Sequence, residues 1–136
     1  DIVYTQEKDK HRFHINTHLV DADQQTPVQG AFPVTLDYVY SKQGMSIVVD
    51  YCPLTACLVL PVIAAPSEVV DITSKGMLLQ KKEGVLEIIC VNGMLKVAPT
   101  DEDGRIFNPV PGFSFVPLQI FPEGENKKIQ IEITYN

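Results

Sequence analysis

The C-terminal stretch "KKIQIEITYN" (residues 127–136) alternates polar and apolar side chains almost without interruption. In an extended chain, one side would carry four apolar residues: Ile129, Ile131, Ile133 and Tyr135. This period of two residues is typical of a half-buried β-strand. The preceding run "FVPLQIF" (115–121) is the expected partner of this strand, joined to it through the turn "PEGEN" (122–126).

A second signal lies in "VLEIICVNGMLKVAP" (85–99), where two strand-like runs flank Asn92 and Gly93. This dipeptide tolerates the positive φ angles of a type I′ turn, so the stretch is predicted to form a hairpin. The predicted pairs across the loop are Val91–Met94, Cys90–Leu95, Ile89–Lys96 and Ile88–Val97. Four apolar side chains would then share the core face of this hairpin: Ile88, Cys90, Leu95 and Val97. Glu87 and Lys96 would lie on the other, partly solvated face.

Further strand candidates follow at short intervals, separated by turns rich in proline and glycine. They are 12–20, 33–40, 45–52, 55–64, 68–73 and 77–81. No window carries the apolar stripe of an amphipathic helix for more than about one turn. The pattern predicts an all-β fold, an antiparallel β-sandwich of about 8–10 short strands that occupies residues 1–136 as a single domain. Pro53, Pro61 and Pro117 lie inside apolar runs, which predicts that those runs are edges, bends or strand starts.

Composition excludes several classes of function. Acidic residues outnumber basic ones by 17 to 11, for a net charge of -6, and the basic residues form no stripe, so nucleic acid is not an expected partner. The longest apolar run, "CLVLPVIAAP" (57–66), is about half the length of a membrane-spanning helix and contains a proline. The chain opens at Asp1 without a methionine or a signal peptide, which favours a processed chain or a C-terminal fragment of a larger one.

Three cysteines, Cys52, Cys57 and Cys90, cannot all pair with one another. The spacing of "CPLTAC" (52–57) fits neither a zinc knuckle nor a thioredoxin-type motif. Cys57 and Cys90 lie among aliphatic residues, where a thiol behaves as a small hydrophobe, so buried free thiols are expected. A disulfide between Cys52 and Cys57, or between Cys57 and Cys90, is the alternative.

The stretch "HRFHINTH" (11–18) holds all three histidines of the chain. On a helix, His14 and His18 would lie one turn apart and could share a metal ion. The alternation of apolar and polar residues favours a strand, on which the two residues are about 13 Å apart at roughly 3.3 Å per residue, so no metal is expected. His14, Asn16 and His18 share one polar face. This face either is solvated or packs on a neighbouring domain, or it places one histidine in a cleft for proton transfer or anion binding.

Two further stretches carry weaker signals. "DEDGRIF" (101–107) lacks the remaining ligands of a calcium loop and is interpreted as an acidic turn. "GRIFNPVPGFSFVPLQIF" (104–121) combines Arg105 with four aromatic residues, among them Phe107 and Phe113. Such residues can stack on sugar rings, anchor an interface or plug the end of a sandwich. The sequence contains no recognisable catalytic pair or phosphate-binding loop, and no cofactor is expected.

The order of several segments resembles a known family. "LVLPVIAA" (58–65), a hairpin after it and "RIFNPVPGFSFVPLQI" (105–120) resemble the C-terminal β-sandwich region of bacterial heparinase II/III-like polysaccharide lyases. "FHINTHL" (13–19) is similar to the strand that carries a histidine where that region begins. The resemblance implies a secreted enzyme with an N-terminal α/α-toroid, which cleaves chains containing uronic acid by proton removal and elimination. No tyrosine–histidine pair of this chain matches that catalytic centre, so the resemblance implies the non-catalytic end of such an enzyme.

The resulting hypothesis is a non-catalytic C-terminal β-sandwich domain of a secreted, extracytoplasmic bacterial polysaccharide lyase of the heparinase II/III-like kind. Its expected partners are the upstream catalytic domain of the same polypeptide and an acidic polysaccharide, whose cleft the domain would help to line. The alternative is an independent carbohydrate-binding or cell-surface adhesion module. The residues expected to contact glycan or the neighbouring domain, with no catalytic residue and no metal ligand among them, are His14, Asn16, His18, Arg105, Phe107 and Phe113.

Overall fold

A computed structural model of the chain describes residues 1–28, 30, 32–50, 56–98 and 114–136. Within these residues the backbone forms eleven β-strands and one 3-10 helix. The strands are β1 (Ile2–Glu7), β2 (Lys10–Leu19), β3 (Phe32–Ser41), β4 (Gly44–Asp50), β5 (Leu58–Ile63), β6 (Val69–Thr73), β7 (Gly76–Lys81), β8 (Gly84–Asn92), β9 (Met94–Val97), β10 (Phe115–Phe121) and β11 (Ile129–Tyr135). The short helix, Gly124–Asn126, lies between β10 and β11.

The strands form two antiparallel sheets, which confirms the predicted all-β sandwich. The large sheet has the strand order β1-β2-β3-β4-β11-β8-β7-β6, and the small sheet has the order β5-β10-β9. The described residues hold one strand more than the upper limit of the prediction, and the strand that the sequence analysis missed is β1. Its residues Ile2, Val3, Tyr4 and Thr5 all favour strands, so the signal was present in the sequence.

The core lies between the two sheets and follows the alternation that the sequence predicted. Ile129 and Ile131 have no solvent-exposed surface, whereas Tyr135 at the end of β11 is exposed. Each fully buried side chain of this size stabilises the fold by roughly 1.5–3 kcal/mol before entropy is counted. Among the described residues, the largest fully buried side chains are Met77, Leu79, Ile88, Leu118, Ile120, Ile129 and Ile131.

The hairpin predicted at Asn92 and Gly93 is wrong. Strand β8 ends at Asn92 and pairs with β7 and β11 in the large sheet, whereas β9 begins at Met94 and pairs with β10 in the small sheet. Gly93 has a φ of 124°, but Asn92 is not in the left-handed region, so the two positive φ angles of a type I′ turn are not both present. Gly93 therefore turns the chain from one sheet to the other.

The turn between β6 and β7 holds this crossover in place. The N–H groups of Cys90 and Leu95 each donate a hydrogen bond of 2.8 Å, to the carbonyls of Lys75 and Ser74 respectively. Lys75 Nζ also donates to the Gly93 carbonyl at 2.8 Å. Cys90 and Leu95 are both buried, so the crossover lets them approach one core from opposite sheets.

The second predicted hairpin, between residues 115–121 and 127–136, is also wrong. Strand β10 is the centre of the small sheet, and β11 lies between β4 and β8 in the large sheet. The connection contains the 3-10 turn and Lys127 with a φ of 46°, and it crosses from one layer to the other. Alternation shows which face of a strand is buried, but it does not identify the neighbouring strand, because any strand with a matching apolar face can lie beside it.

Pro61 and Pro117 lie directly opposite each other in β5 and β10. The Pro117 carbonyl accepts a hydrogen bond from the Ala98 N–H at 2.7 Å, so the Pro117 backbone faces β9. In an antiparallel ladder this makes Pro61 and Pro117 a pair without mutual hydrogen bonds, and neither missing N–H interrupts the β5–β10 pairing. The strand that contains Pro61, β5, is an edge of the small sheet, which confirms the prediction for this proline. Pro117 corrects the prediction, because it lies in a central strand; Pro53 lies outside the described residues.

Strands β1 and β2 extend the large sheet beyond the core. Every residue of β1 is exposed, and in β2 only Phe13, His14 and Ile15 are half-buried. The buried core cluster of the described residues contains members of β3 and β4 but none of β1 or β2. We call this pair of strands the β1–β2 extension. Both of its faces are accessible, so it can present side chains to a partner on either side.

The thiols of Cys57 and Cys90 are free, which excludes the alternative disulfide between them. Burial raises the pKa of both thiols, so neither is poised for reaction at neutral pH. Cys52 lies outside the described residues, and so does the alternative disulfide between Cys52 and Cys57. Across those residues, no helix is both long and apolar enough to cross a membrane.

Candidate functional site

Strands β2 and β3 bring an imidazole, a guanidinium and a carboxylate together on the outer face of the large sheet, the face turned away from the small sheet. His14 and Asp37 are directly opposed partners in the two strands. Asp37 Oδ1 lies 3.0 Å from His14 Nδ1, 2.8 Å from Arg12 Nε and 2.7 Å from the Arg12 Nη2 atom. We call these three residues the Asp37 cluster. His14 is one of the predicted site residues, and sequence reasoning missed its partner Asp37.

The Asp37 side chain is only 15% exposed, while that of Arg12 is 55% exposed. Burial alone would raise the pKa of the Asp37 carboxyl, but hydrogen bonds from His14 and Arg12, together with the charges of these two side chains, outweigh burial and lower that pKa below its ordinary value. Asp37 is therefore ionised at neutral pH and orients both donors. When His14 donates its Nδ1 proton to Asp37, the neutral ring keeps Nε2 as an acceptor for another group.

Asn16 and His18 continue the same face, but they do not join the Asp37 cluster. Thr35 Oγ1 donates to Asn16 Oδ1 at 3.2 Å, and His18 is exposed opposite Pro33. Strand β2 confirms the extended backbone that the sequence predicted for this stretch. In the ranges that the structure covers, no three His, Cys, Asp or Glu side chains are grouped so as to hold a metal ion.

A shallow depression of about 470 Å³ adjoins the Asp37 cluster on the outer face. The described residues of its lining carry cationic and anionic side chains in equal number, together with Thr5, Val39 and Val48. The charged residues are Lys10, Arg12, Lys128, Glu7, Asp37 and Asp50. Because these charges balance, the surface offers hydrogen-bond donors and acceptors to a polar polymer without a strong net potential.

The inner face of the β1–β2 extension carries a second group of side chains, Tyr4, His11, Phe13 and Tyr40. They line an open depression of about 540 Å³ at the side of the sandwich. Sequence reasoning missed this group because β1 was not identified. The available signal was the alternation within β2, which places His11 and Phe13 on the face opposite His14.

The remaining predicted site residues, Arg105, Phe107 and Phe113, lie outside the described residues, as does the acidic stretch 101–107. The described part of the aromatic stretch begins at Ser114. Within it, Phe121 packs under the ammonium group of Lys96, which lies 4.5 Å from the ring centroid. Phe121 is half-buried, so this aromatic side chain contributes to packing between the end of β10 and the edge strand β9.

The described residues define an all-β domain of two antiparallel sheets, and comparison with known proteins gives its family. The family model of the ulvan lyase C-terminal domain matches residues 1–136. The chain therefore belongs to this family of polysaccharide lyase C-terminal domains, which implies a catalytic domain as its partner. A search of curated proteins finds no match.

Proposed function

We propose that the chain is a non-catalytic domain that supports the catalytic domain of its lyase and lines one wall of the acidic-glycan cleft. The observation that carries the proposal is the Asp37 cluster on the outer face. Asp37 fixes a guanidinium and an imidazole at 2.7 to 3.0 Å, while both donors keep exposed surface. Arg12 keeps N–H groups that suit a carboxylate or hydroxyl of a sugar chain, and His14 Nε2 can accept a hydrogen bond from a sugar hydroxyl.

A second part of the outer face is suited to contact with the catalytic domain. Four exposed aliphatic side chains follow one another diagonally across β6, β7 and β8: Val69, Leu78, Ile89 and Val91. Contiguous exposed apolar surface of this kind is typical of an interaction site. One covering domain could therefore pack on this end of the face while the Asp37 cluster, at the other end, faces the substrate.

The family name supports ulvan as the polymer that the parent enzyme cleaves. We further propose that the enzyme acts outside the bacterial cytoplasm and that its catalytic domain is heparinase II/III-like, with an α/α-toroid. The order of segments in the sequence supports this finer assignment. A polymer substrate also favours an extracytoplasmic location, because a long polysaccharide does not reach an enzyme inside the cell.

The test uses the full-length lyase and the isolated 136-residue domain with ulvan as substrate. We expect the isolated domain to produce no unsaturated uronate, read as new ultraviolet absorbance. In the full-length enzyme, we expect Arg12→Gln and His14→Ala to raise KM about tenfold while kcat changes little, because the cluster binds substrate without taking part in the chemistry.

Lys82→Gln provides a matched control, since Lys82 is an exposed cation in the turn between β7 and β8, away from the cluster. This control should leave KM unchanged. Absorbance produced by the isolated domain would refute the non-catalytic assignment. A fall in kcat without a change in KM in the Arg12 and His14 variants, at an unchanged melting temperature, would refute a role in binding.

A further inference from the structure

Four rings form a continuous cluster on the inner face of the β1–β2 extension. Tyr4 and His11 are nearly parallel, with 12° between their planes and 6.1 Å between their centroids. Tyr4 also packs on Phe13 at 5.1 Å, and Phe13 meets the edge of Tyr40 at 6.0 Å. We call these four residues the ring cluster. Contacts between strand neighbours fix the rings before any ligand arrives.

The ring cluster is exposed although it lies on the same face as the core. Cross-strand pairing connects Tyr4 to Phe13 and Phe13 to Tyr38, and Tyr38 packs against the core. Beyond Tyr38 the side chains are no longer covered: Tyr40 is 42% exposed and Tyr4 is 49% exposed. Because exposing large rings is unfavourable, a surface of this kind marks a binding site.

Polar atoms are part of the ring cluster. The Tyr4 hydroxyl lies 2.8 Å from His11 Nδ1 and 3.3 Å from Gln6 Oε1. Among the residues that the structure describes, no aspartate, glutamate, lysine or arginine lines the depression. The cluster therefore combines flat apolar faces with a rim of hydroxyl, imidazole and amide groups, the combination that an uncharged amphipathic ring requires.

We propose that the ring cluster binds pyranose rings of the polysaccharide, on the side of the sheet opposite the cleft. One face of a pyranose carries a set of C–H groups with slight positive charge, which are attracted to the negative face of an aromatic ring. The sugar hydroxyls at the ring edge can then exchange hydrogen bonds with the polar rim at Tyr4 and His11. The depression, at about 540 Å³, falls within the usual size of a small-ligand site.

The size of the ring cluster favours a sugar over a protein partner. A stable protein interface covers about 800 Å² on each partner. Four half-exposed rings offer only a few hundred Å², since a large aromatic side chain buries roughly 150–250 Å² in total. An area of this size is too small to anchor a protein, but it matches one or two sugar rings.

This inference rests on the proposed function only for the identity of the polymer. The Asp37 cluster and the ring cluster lie on opposite faces of the same strands, so they would contact different parts of a chain or different chains. Contacts at the Asp37 cluster are ionic and weaken with salt, whereas stacking on the rings does not depend on charge. Salt therefore separates the two sites experimentally.

The experiment titrates the 136-residue chain with size-fractionated ulvan oligosaccharides and follows tyrosine fluorescence, which is readable because the chain has five tyrosines and no tryptophan. It is run at low salt and at about 1 M NaCl, where the screening length is about 3 Å. We expect binding to persist at high salt and to weaken about tenfold or more in Tyr4→Ala and in Tyr40→Ala. Tyr135→Ala is the matched control, because Tyr135 is 51% exposed but lies on β11, outside the cluster.

Each other outcome overturns the inference. Equal high-salt affinity of the Tyr4, Tyr40 and Tyr135 variants would place the sugar elsewhere, as would binding that disappears in salt. Self-association of the chain that is lost in Tyr4→Ala would show that a second copy covers the rings. Melting curves of all three variants serve as the check on folding. The KM effects of the Arg12 and His14 variants in the full-length enzyme are measured separately, so either proposal can fail without the other.

Discussion

His14 Nδ1 and Asp37 Oδ1 lie 3.0 Å apart across two neighbouring strands, and the same carboxylate oxygen accepts two contacts from Arg12. One acidic residue thus orients two basic side chains on the outer face. Because Asp37 is largely shielded from water, these contacts stabilise its ionised form. The arrangement links the order of the proposed glycan-binding surface to the charge of a single carboxyl group.

We expect Asp37→Asn to lower the free energy of unfolding by about 1 kcal/mol at neutral pH, since it removes a charge-assisted contact with partners that stay partly solvated. The pKa of Asp37 is lower in the folded protein than its ordinary value of 3.8. Its stabilisation is therefore complete above pH 3.8 and is lost as the pH falls through the lower folded value. Urea unfolding at a series of pH values should show the difference between wild type and variant disappearing in acid.

Asp71→Asn is the control for this measurement, because Asp71 is an exposed aspartate on the outer face at the far end of the sheet. It should change stability little at any pH. If the wild type and the Asp37→Asn variant differed in free energy of unfolding by the same amount down to the lowest pH, the side chain's shape, and not its charge, would account for the effect.

Gly93 carries the crossover between the two sheets, and its backbone permits no other residue without strain. Its φ is 124°, and an added Cβ would lie 2.9 Å from the Phe121 carbonyl oxygen. We expect Gly93→Ala to destabilise the fold by about 2–4 kcal/mol, from a disfavoured backbone and a clash with backbone atoms together. Gly124→Ala is the comparison, because Gly124 has a φ of 69°, in the left-handed region that other residues can adopt at modest cost, and open space around it. It should cost about 1 kcal/mol. Similar melting temperatures for the two variants would contradict the clash at the crossover.

The sequence predicted the burial of individual side chains better than the pairing of strands. Of the four residues expected on the apolar face of the predicted hairpin, Ile88, Cys90 and Leu95 are buried, whereas Val97 at the end of β9 is 44% exposed. Their strands nevertheless belong to two sheets, because a residue on an apolar face is buried equally well by a hairpin neighbour or by an opposing layer. The Asn92–Gly93 turn signal could not decide between them, since a single positive φ at Gly93 serves a crossover as well as a hairpin.

The candidate site shows the same limit. Alternation placed His14, Asn16 and His18 on one polar face, and β2 confirms that placement. Asp37 comes 23 positions after His14, and only the β2–β3 register makes the two residues neighbours. Tyr4 and Tyr40 likewise join His11 and Phe13 through pairing on both sides of β2. Contacts of this kind depend on the order of strands in the sheet, which local sequence patterns do not specify.

His14 and His18 are separated by four residues of strand, about 13 Å at 3.3 Å per residue, and we expect them not to bind one zinc ion together. Zinc bound tightly to the folded chain would raise the melting temperature. We expect a small excess of zinc, followed by EDTA, to leave it unchanged. Proton NMR gives the residue-level check: joint shifts of the His14 and His18 ring signals, saturating at one equivalent, would contradict the strand geometry.

Lys81, the last residue of β7, links the large sheet to the small sheet at the end of the large sheet far from β1 and β2. Its Nζ donates to the carbonyl of Ile63, the last residue of β5, at 3.1 Å and to Glu68 Oε2 at 2.9 Å. Glu68 Oε2 also accepts the Ala65 N–H at 2.9 Å. The hydrogen bond from Lys81 and, to a smaller extent, the one from the Ala65 N–H lower the pKa of Glu68 below its ordinary value of 4.5. Its contribution to stability is therefore present above pH 4.5 and is lost on further acidification.

We expect Lys81→Met to lower the melting temperature at neutral pH and to reduce the loss of stability between pH 5 and pH 3, because Glu68 then lacks the partner that keeps it ionised. Thermal unfolding followed by circular dichroism across this pH range measures both effects. Lys82→Met is the control, since the neighbouring Lys82 is exposed in the turn after β7. Removing either lysine changes the net charge by the same amount. If both variants were equally sensitive to acid, the effect would come from net charge and not from the link between the sheets.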